Sequence, residues 1–222
     1  MLGGLDLSFV NWEIISKFVA NGFFFSVQLT IVATLGGIFF GTLLALMRLS
    51  GKKAFVVPAT VYVNGMRSIP LVMVILWFFL LIPLLTGRPL GAELSAIITF
   101  TVFEAAYYSE IMRAGIQSVP HGQFEAASSL GLGFLRSMQK VVLPQAIRNV
   151  VPDLISNTLE VVKLTSIASV VALPELLYAA RQVQSVTYNA SPVIAAGLLY
   201  LLLLWPLVRL LSRYERKAVS IR

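Results

Sequence analysis

A long run without a charged side chain, residues 22–47, constrains this chain more than any other feature. A helix that crosses a bilayer needs roughly 20 mostly apolar residues, and this run exceeds that length. The composition agrees, because 58% of the 222 residues are hydrophobic, only 12% are charged and the mean hydropathy is +0.86. A soluble domain carries about twice that charged fraction. We therefore predict an all-α integral membrane protein.

Five segments are long and apolar enough to predict five transmembrane helices: residues 22–47, 55–85, 94–119, 146–173 and 192–211. The second is too long for one straight crossing and is interrupted by Arg67 and Pro70. We expect its early part at the cytoplasmic interface and residues 69–85 deepest. The chain then divides into an N-terminal periplasmic or interfacial segment (1–21), a transmembrane domain (22–212) and a basic cytoplasmic tail (213–222).

Basic residues concentrate on one side of these spans. That side holds Arg48, Lys52, Lys53, Arg136, Lys140, Arg148, Arg209, Arg213, Arg216, Lys217 and Arg222, and the other holds only Lys17, Arg88 and Arg181. Because membrane proteins collect Lys and Arg in cytoplasmic loops, we expect the N-terminus outside and the C-terminus inside. The residues before the first apolar run are mixed in sign and form no basic segment, so we expect no cleaved signal peptide. The net charge of +7 then reflects membrane topology, and we expect no nucleic-acid partner.

Two further features concern packing and chemistry. Gly37 and Gly41 form a GxxxG pair, which permits close helix contact either at a subunit interface or, the reading we favour, within one subunit. The chain has no cysteine and one histidine, His121. We therefore expect no metal site and no catalytic residue.

The stretch between the third and fourth spans carries the most specific motif. Glu125, Ala126 and Ala127 are followed by three residues and Gly131; nine residues later come an aliphatic residue, any residue, Leu143 and Pro144. This pattern resembles the EAA loop of ABC importer permeases. The resemblance implies a type I importer permease fold, in which a coupling loop, residues 120–145, places a short helix in a groove of a separate ATPase.

The residue types suit that role. Small alanines allow close approach, Gly131 permits a sharp turn, and Pro144 predicts a bend before the fourth span. In the family, Glu125 would contact the ATPase. The alternative is an ordinary interfacial helix-turn-helix, which the completeness of the pattern disfavours.

Other segments resemble the polar amino-acid branch of these permeases. They are Arg67-Ser68-Ile69-Pro70-Leu71, the stretch from Phe103 to Glu110 continuing through Arg113 to Ser118, Lys163-Leu164-Thr165-Ser166-Ile167, and Pro174-Glu175-Leu176-Leu177. The second stretch is similar to glutamate/aspartate permeases, whereas the last two are similar to the wider amino-acid branch. The resemblance implies a polar amino acid as substrate, with glutamate or aspartate as one candidate.

The resemblance also implies the partners and the location. They are an ABC ATPase dimer, a second copy or a related permease, an external amino-acid-binding protein and the lipids of the bacterial inner membrane. The sequence has no phosphate-binding Gly-x-x-x-x-Gly-Lys-Ser/Thr loop. We therefore expect no enzymatic activity and no cofactor in this subunit, with ATP and Mg on the partner ATPase.

Charged residues inside the predicted spans are candidates for the substrate path, because each ionised group there costs at least about 2.5–3.5 kcal/mol, and polar residues near them could add hydrogen bonds. The candidates are Arg67, Glu104, Tyr107, Tyr108, Asp153, Asn157, Glu160, Lys163, Thr165 and Ser166. Arg113 and Glu110 could also face the substrate. The alternative is internal pairing, of Glu110 with Arg113 and of Glu160 with Lys163, each at i, i+3.

Two other function classes stay open at this point. An ion-gradient-driven secondary transporter would use the intramembrane carboxylates as ion sites. The EAA pattern, the small number of spans and the missing inverted repeat oppose it. A membrane-embedded enzyme would need metal-ligand or His-rich spacing, which the sequence lacks.

Overall fold

The computed structural model describes residues 12, 19–88 and 90–219, and this part of the chain contains helices, turns and bends but no strand. The side chains of the basic tail after Arg213, and the N-terminal segment apart from residues 12 and 19–21, including Lys17, lie outside the described residues. The helices are α1 (Asn21–Leu49), α2 (Lys53–Ser68), α3 (Leu71–Leu76), α4 (Ile82–Thr86), α5 (Ala92–Gln117), α6 (His121–Ser129), α7 (Phe134–Ser137), α8 (Leu143–Leu164), α9 (Leu176–Thr187) and α10 (Ser191–Val219).

Three non-α turns connect several of these helices. The π-helical turn Trp77–Leu81 joins α3 to α4, and the π-helical turn Met138–Val142 joins α7 to α8. The 3-10 helix Thr165–Val171 follows α8. The predicted all-α architecture is thus present.

Among the described residues, three helices are long and apolar enough to cross a membrane, Asn21–Leu49, Met138–Val171 and Ser191–Arg213. The bent pair Lys53–Ser68 and Leu71–Thr86, counted as one span, is a fourth. Helix α5 has 26 residues, enough to cross, but it carries Glu93, Glu104, Glu110 and Arg113 and is not among the apolar helices. The predicted count of five is therefore not reached on these criteria.

The second predicted span is broken where the sequence indicated. Helix α2 ends at Ser68, and Pro70 has an extended conformation with φ −61° and ψ 137° before α3 begins. A proline disfavours helical geometry in the residue before it, so Ile69 cannot easily continue the helix.

The chain forms two compact units. The first comprises Met1–Leu35, Ile69–Thr101 and Thr158–Arg222, and the second comprises Gly36–Ser68 and Val102–Asn157. In the first unit, Leu176 and Ala180 of α9 pack with Ala196 of α10 in a buried cluster.

The GxxxG pair lies in the second unit, where α1 packs on α5. A Cβ on Gly37 would lie 2.7 Å from Cδ2 of Tyr108, and a Cβ on Gly41 would lie 2.8 Å from the backbone nitrogen of Ser109. Both glycines therefore serve close packing within this subunit, which confirms the reading that we favoured.

Candidate functional site

The predicted coupling helix is α6. It begins after Pro120, whose backbone is extended, and it ends where Gly131 takes the left-handed conformation with φ +75°. The Leu132 amide donates to the Ala127 carbonyl at 3.1 Å and the Gly131 amide donates to the Ser128 carbonyl at 2.9 Å. These two bonds form a Schellman motif, which places glycine at this position because a Cβ would be strained there.

The residues of the EAA pattern differ in exposure. Glu125, Ala126 and Gly131 are exposed, whereas Ala127 is 2% exposed and faces its own chain. Leu130, which the pattern does not fix, is 81% exposed. The exposed part of α6 therefore presents a carboxylate, a small residue and a leucine.

The rest of the coupling loop supports α6. Val119, Val142 and Ala146 form a buried cluster against which Phe124 of α6 packs. The rings of Phe124 and Phe134 meet edge to face with centroids 5.7 Å apart.

Helix α8 begins at Leu143, which is partly buried, and Pro144 is exposed in its first turn. The π-helical turn Met138–Val142 leads directly into α8, so the chain stays helical across Pro144 rather than breaking there. A proline is tolerated in the first turn because its missing amide would have no partner there in an isolated helix. The predicted bend is replaced by the π-helical turn.

A cluster of three arginines surrounds Glu110 in the second unit. Arg48 Nη1 lies 2.6 Å from Glu110 Oε2, Arg113 pairs with Glu110 Oε1, and Arg67 Nη1 lies 3.8 Å from Oε2. The Arg67 guanidinium also lies 5.7 Å from the ring centroid of Tyr107. The predicted internal pair of Glu110 and Arg113 is confirmed, and Arg48 is an additional partner.

The second unit also joins two candidates from different helices. Asn157 of α8 donates to Glu104 Oε2 of α5 at 2.7 Å, and Glu104 is only 2% exposed. Tyr108 has no exposed surface and packs against Gly37, whereas Asp153 is exposed. Neutral amide partners let a buried carboxylate keep its hydrogen bonds in an apolar setting.

The remaining candidates lie in the first unit. Glu160 and Lys163 form an ion pair, which confirms that internal pairing, and both side chains are about half exposed, at 53% and 52%. Thr165 is buried and donates to the Val162 carbonyl at 2.7 Å. Ser166 and Lys163 line a cavity of about 350 Å³ together with Tyr200.

A buried carboxylate that we named above only as part of the Pro174–Leu177 segment contacts Tyr200 of that cavity. Glu175 has no exposed surface and caps the N-terminus of α9, accepting from the Leu177 amide at 2.8 Å and the Tyr178 amide at 2.6 Å. Tyr200 donates to Glu175 Oε2 at 3.3 Å. Along the chain, Glu175 lies outside the spanning segments, between Met138–Val171 and Ser191–Arg213. Burial raises the pKa of its carboxyl to about 7. The acidic residue directly before a helix start was the available signal.

Over the described ranges, no group of three or more His, Cys, Asp or Glu residues is arranged to hold a metal ion.

A family model described as the inner-membrane component of binding-protein-dependent transport systems matches residues 37–219. The chain belongs to this family. It is thus a multi-pass inner-membrane transport component, and the prediction of an ABC importer permease is confirmed.

Similar proteins place this inner-membrane component in the amino-acid branch. It is 37% identical to the glutamate/aspartate import permease protein GltK of Escherichia coli O157:H7, over 90% of this chain and 93% of GltK. It is 31% identical to the arginine transport system permease protein ArtQ of Bacillus subtilis, over 91% of this chain and 93% of ArtQ. These relatives are transport permeases, as the sequence predicted.

Solved structures confirm the fold of this inner-membrane component. The crystal structure of an amino acid ABC transporter with histidines is similar with a TM-score of 0.87 and 31% identity, covering 96% of this chain and 99% of the other. The MetNI methionine ABC transporter in an inward-facing conformation has a TM-score of 0.75 at 21% identity, covering 93% and 99%, and so shows the fold alone. The predicted type I importer permease fold is therefore confirmed.

Proposed function

We propose that this chain is the permease subunit through which an ABC importer moves a polar amino acid inward, driven by ATP that a separate ATPase hydrolyses. The observation that carries the proposal is helix α6, which exposes Glu125 and Ala126 and ends in the Gly131 turn, in a chain that belongs to a family of binding-protein-dependent transport components. The sequence supplies no phosphate-binding loop of its own, so the energy must come from a partner.

The ATPase docks on the exposed face of α6. Glu125 offers a carboxylate to a basic partner, Ala126 allows close approach, and Leu130 supplies apolar area to bury. Gly131, Leu143 and Pro144 shape the loop, and Ala127 packs it onto its own chain. Motion of the ATPase dimer reaches the membrane through α5 and α8, which flank the loop.

The membrane is crossed five times in this proposal, with the N-terminus outside. The crossings are α1, the broken pair of α2 with Leu71–Thr86, α5, Met138–Val171 and α10. Helix α5 counts as a crossing because Glu110 and Arg113 neutralise each other and Glu104 is hydrogen-bonded, which reduces the cost of burying them in lipid. The basic loops set the orientation.

Three kinds of partner complete the transporter. A second copy of this chain or a related permease forms the other half of the path, two ATPase subunits bind ATP and Mg below it, and an external binding protein delivers the amino acid. The family's description as a component of binding-protein-dependent transport systems supports the external binding protein.

The substrate path is lined by the charged and polar candidates within the spans. Arg67 in the second unit and Lys163 in the first are each a candidate donor for the substrate carboxylate, because their side chains are substantially exposed, at 41% and 52%. Glu160 and Asp153 are exposed carboxylates for the ammonium group. Glu104 with Asn157, Tyr107, Tyr108, Thr165 and Ser166 complete the set, as hydrogen-bonding or supporting residues.

Glutamate and aspartate are the first substrates to test. The 37% identity to the glutamate/aspartate permease supports this choice, and the arginine and glutamine permeases among the relatives define the competing substrates.

The test is ATP-driven uptake in liposomes that contain the permease, its ATPase and its binding protein. Labelled glutamate, aspartate, arginine and glutamine are compared with and without internal ATP. We expect one of these amino acids to accumulate only when both the ATPase and ATP are present. Accumulation without the ATPase, driven by a proton or sodium gradient, would favour the secondary transporter instead.

A further inference from the structure

The coupling loop borders an apolar cavity that lies entirely within the second unit, and we call it the coupling-loop cavity. Its volume of about 590 Å³ is within the range of roughly 300–1,000 Å³ that is common for ligand pockets. Its lining includes Val119, Val142 and Met138, of which the two valines are buried. Gln117 and His121 also line it, but none of the described lining residues is Lys, Arg, Asp or Glu. The cavity therefore suits an uncharged, apolar group.

Two aromatic rings form one wall of this cavity. They are Phe124 of α6 and Phe134 of α7, the edge-to-face pair described above. Phe134 is 66% exposed, so much of its ring is still open to a partner. Aromatic side chains prefer edge-to-face or offset contacts with one another. A third ring placed here would extend the pair and remove apolar surface from water.

The edge of the cavity is continuous with the face that we propose as the ATPase contact. His121 and Glu125 are four residues apart on α6, so their side chains lie on the same side of that helix. Both are exposed, and His121 also lines the cavity. A partner that covers Glu125 therefore also reaches the cavity. The exposed Gln117 in the same lining favours an opening toward water over one toward lipid.

The walls of the cavity come from four parts of the fold. They include Leu49 at the end of α1, Ile116 in the last turn of α5, Phe124 of α6 and Met138 of the π-helical turn before α8. A side chain inserted here contacts the ends of long helices directly, in addition to the nine-residue α6. Its displacement would therefore act on α1 and α5 without depending on α6 alone.

We propose that the coupling-loop cavity is a socket for an aromatic side chain of the ATPase. Aromatic residues that fill a pocket on the partner are typical of the few positions that dominate the binding energy of an interface. The proposal rests on the proposed function. It adds to the exposed face of α6 a second, apolar contact, which links the ATPase to the ends of α1 and α5.

The first experiment fills the cavity. The chain has no cysteine, so Met138→Cys places a single thiol in the lining. Methyl methanethiosulfonate then rebuilds a side chain of nearly the shape of methionine, whereas the benzyl reagent adds a ring that occupies the cavity. We expect the benzyl label to weaken binding of added ATPase by about tenfold, and the methyl label to keep it within about twofold of wild type.

Two controls separate a filled socket from a disturbed fold. The benzyl label on Met138→Cys should leave the apparent Tm of the permease unchanged or raise it, because it fills an empty cavity. The same label on Phe55→Cys lies on an exposed residue of α2 that lines no described cavity. There we expect ATPase binding within about twofold of wild type.

The second experiment removes part of the aromatic wall. Phe134→Ala should weaken ATPase binding by about tenfold, and Phe134→Tyr, which keeps the ring, should stay within about threefold of wild type. Because Phe134 is 66% exposed, neither substitution should unfold the permease. If Met138→Cys fails to assemble, the comparison of Phe134→Ala with Phe134→Tyr decides.

The outcomes separate this proposal from the proposed function. If wild type shows ATP-driven uptake while benzyl-labelled Met138→Cys and Phe134→Ala bind the ATPase as wild type does, the socket is wrong and the importer function stands. If wild type neither binds an ATPase nor shows ATP-driven uptake, the proposed function is wrong and the socket with it. If added phospholipid protects Met138→Cys from the benzyl reagent and added ATPase does not, a lipid acyl chain fills the cavity and the socket is wrong.

Discussion

Arg48 and Glu110, 62 residues apart in the chain, meet with 2.6 Å between Nη1 and Oε2. Arg48 lies in the last turn of α1 and its side chain is only 11% exposed, so this pair ties α1 to α5 in a partly buried setting. Glu110 is the one described acidic partner of Arg48, Arg67 and Arg113. Removing that carboxylate would leave three positive charges facing one another.

Glu110→Gln should therefore destabilise the folded protein. The loss of charge-assisted hydrogen bonds costs about 2–3 kcal/mol, which corresponds to a decrease in apparent Tm of roughly 5–10 °C. Glu160→Gln is the matched control, because it removes the same kind of i, i+3 pair where both side chains are half exposed. An exposed pair contributes about 0–1 kcal/mol. Equal shifts for the two variants in detergent thermal unfolding would refute the structural role of the cluster.

Gly41→Ala tests the close contact of α1 with α5. The added Cβ would lie 2.8 Å from the Ser109 nitrogen and 2.9 Å from the Ala105 carbonyl oxygen, and backbone atoms cannot move aside cheaply. We expect a cost of about 1–3 kcal/mol, seen as a lower apparent Tm. Gly65→Ala, whose Cβ has open space among the described atoms, should be neutral or stabilising because alanine favours helix. A neutral Gly41→Ala would contradict the packing.

Gly131→Ala tests the turn that ends the coupling helix. The Cβ would meet nothing within 4 Å in the described structure, so its effect comes from the φ of +75° alone. A left-handed conformation costs a non-glycine residue about 1–2 kcal/mol, which should reduce ATPase copurification by roughly five- to thirtyfold. Gly133→Ala, two residues further in the same loop and without a positive φ, is the control. Equal copurification of both variants would exclude the turn as a docking requirement.

Stability should depend on pH through Glu175. Its pKa rises from an ordinary value of 4.5 to about 7 in the folded chain, where Tyr200 of α10 and Arg181 of α9 are the ionisable groups that interact with it. The folded state therefore holds a proton that the unfolded state releases, and stability should fall as pH increases from about 5 to about 7. Glu175→Gln should remove this slope in thermal unfolding followed from pH 5 to pH 8. If the stability of Glu175→Gln still falls with increasing pH over this range, a group other than Glu175 causes the pH dependence.

Sequence alone predicted the features that depend on local chemistry. The apolar run predicted α1, Pro70 predicted the break between α2 and α3, and the glycine of the EAA pattern predicted the turn after α6. Each rests on the properties of one residue or one short segment.

Contacts between distant segments could not be predicted in this way. A GxxxG pair indicates a close helix contact but does not name Tyr108 and Ser109 as its partners. From the sequence, Arg48 was assigned to the basic residues of the cytoplasmic side. Its ion pair with Glu110 could not be predicted, because it depends on the packing of α1 on α5. Glu175 and Tyr200, in separate helices, meet only in the folded first unit.

The most direct test of the central claim is site-specific crosslinking from α6 to the ATPase. The chain has no cysteine, so Ala126→Cys, at an exposed position of α6, places a single thiol for a photoactivatable maleimide. Ala190→Cys, exposed between α9 and α10, is the control. The account predicts a crosslink to the ATPase from position 126, with none from position 190. A crosslink to the ATPase from position 190 alone, or from neither position in a complex that shows ATP-driven uptake, would contradict it.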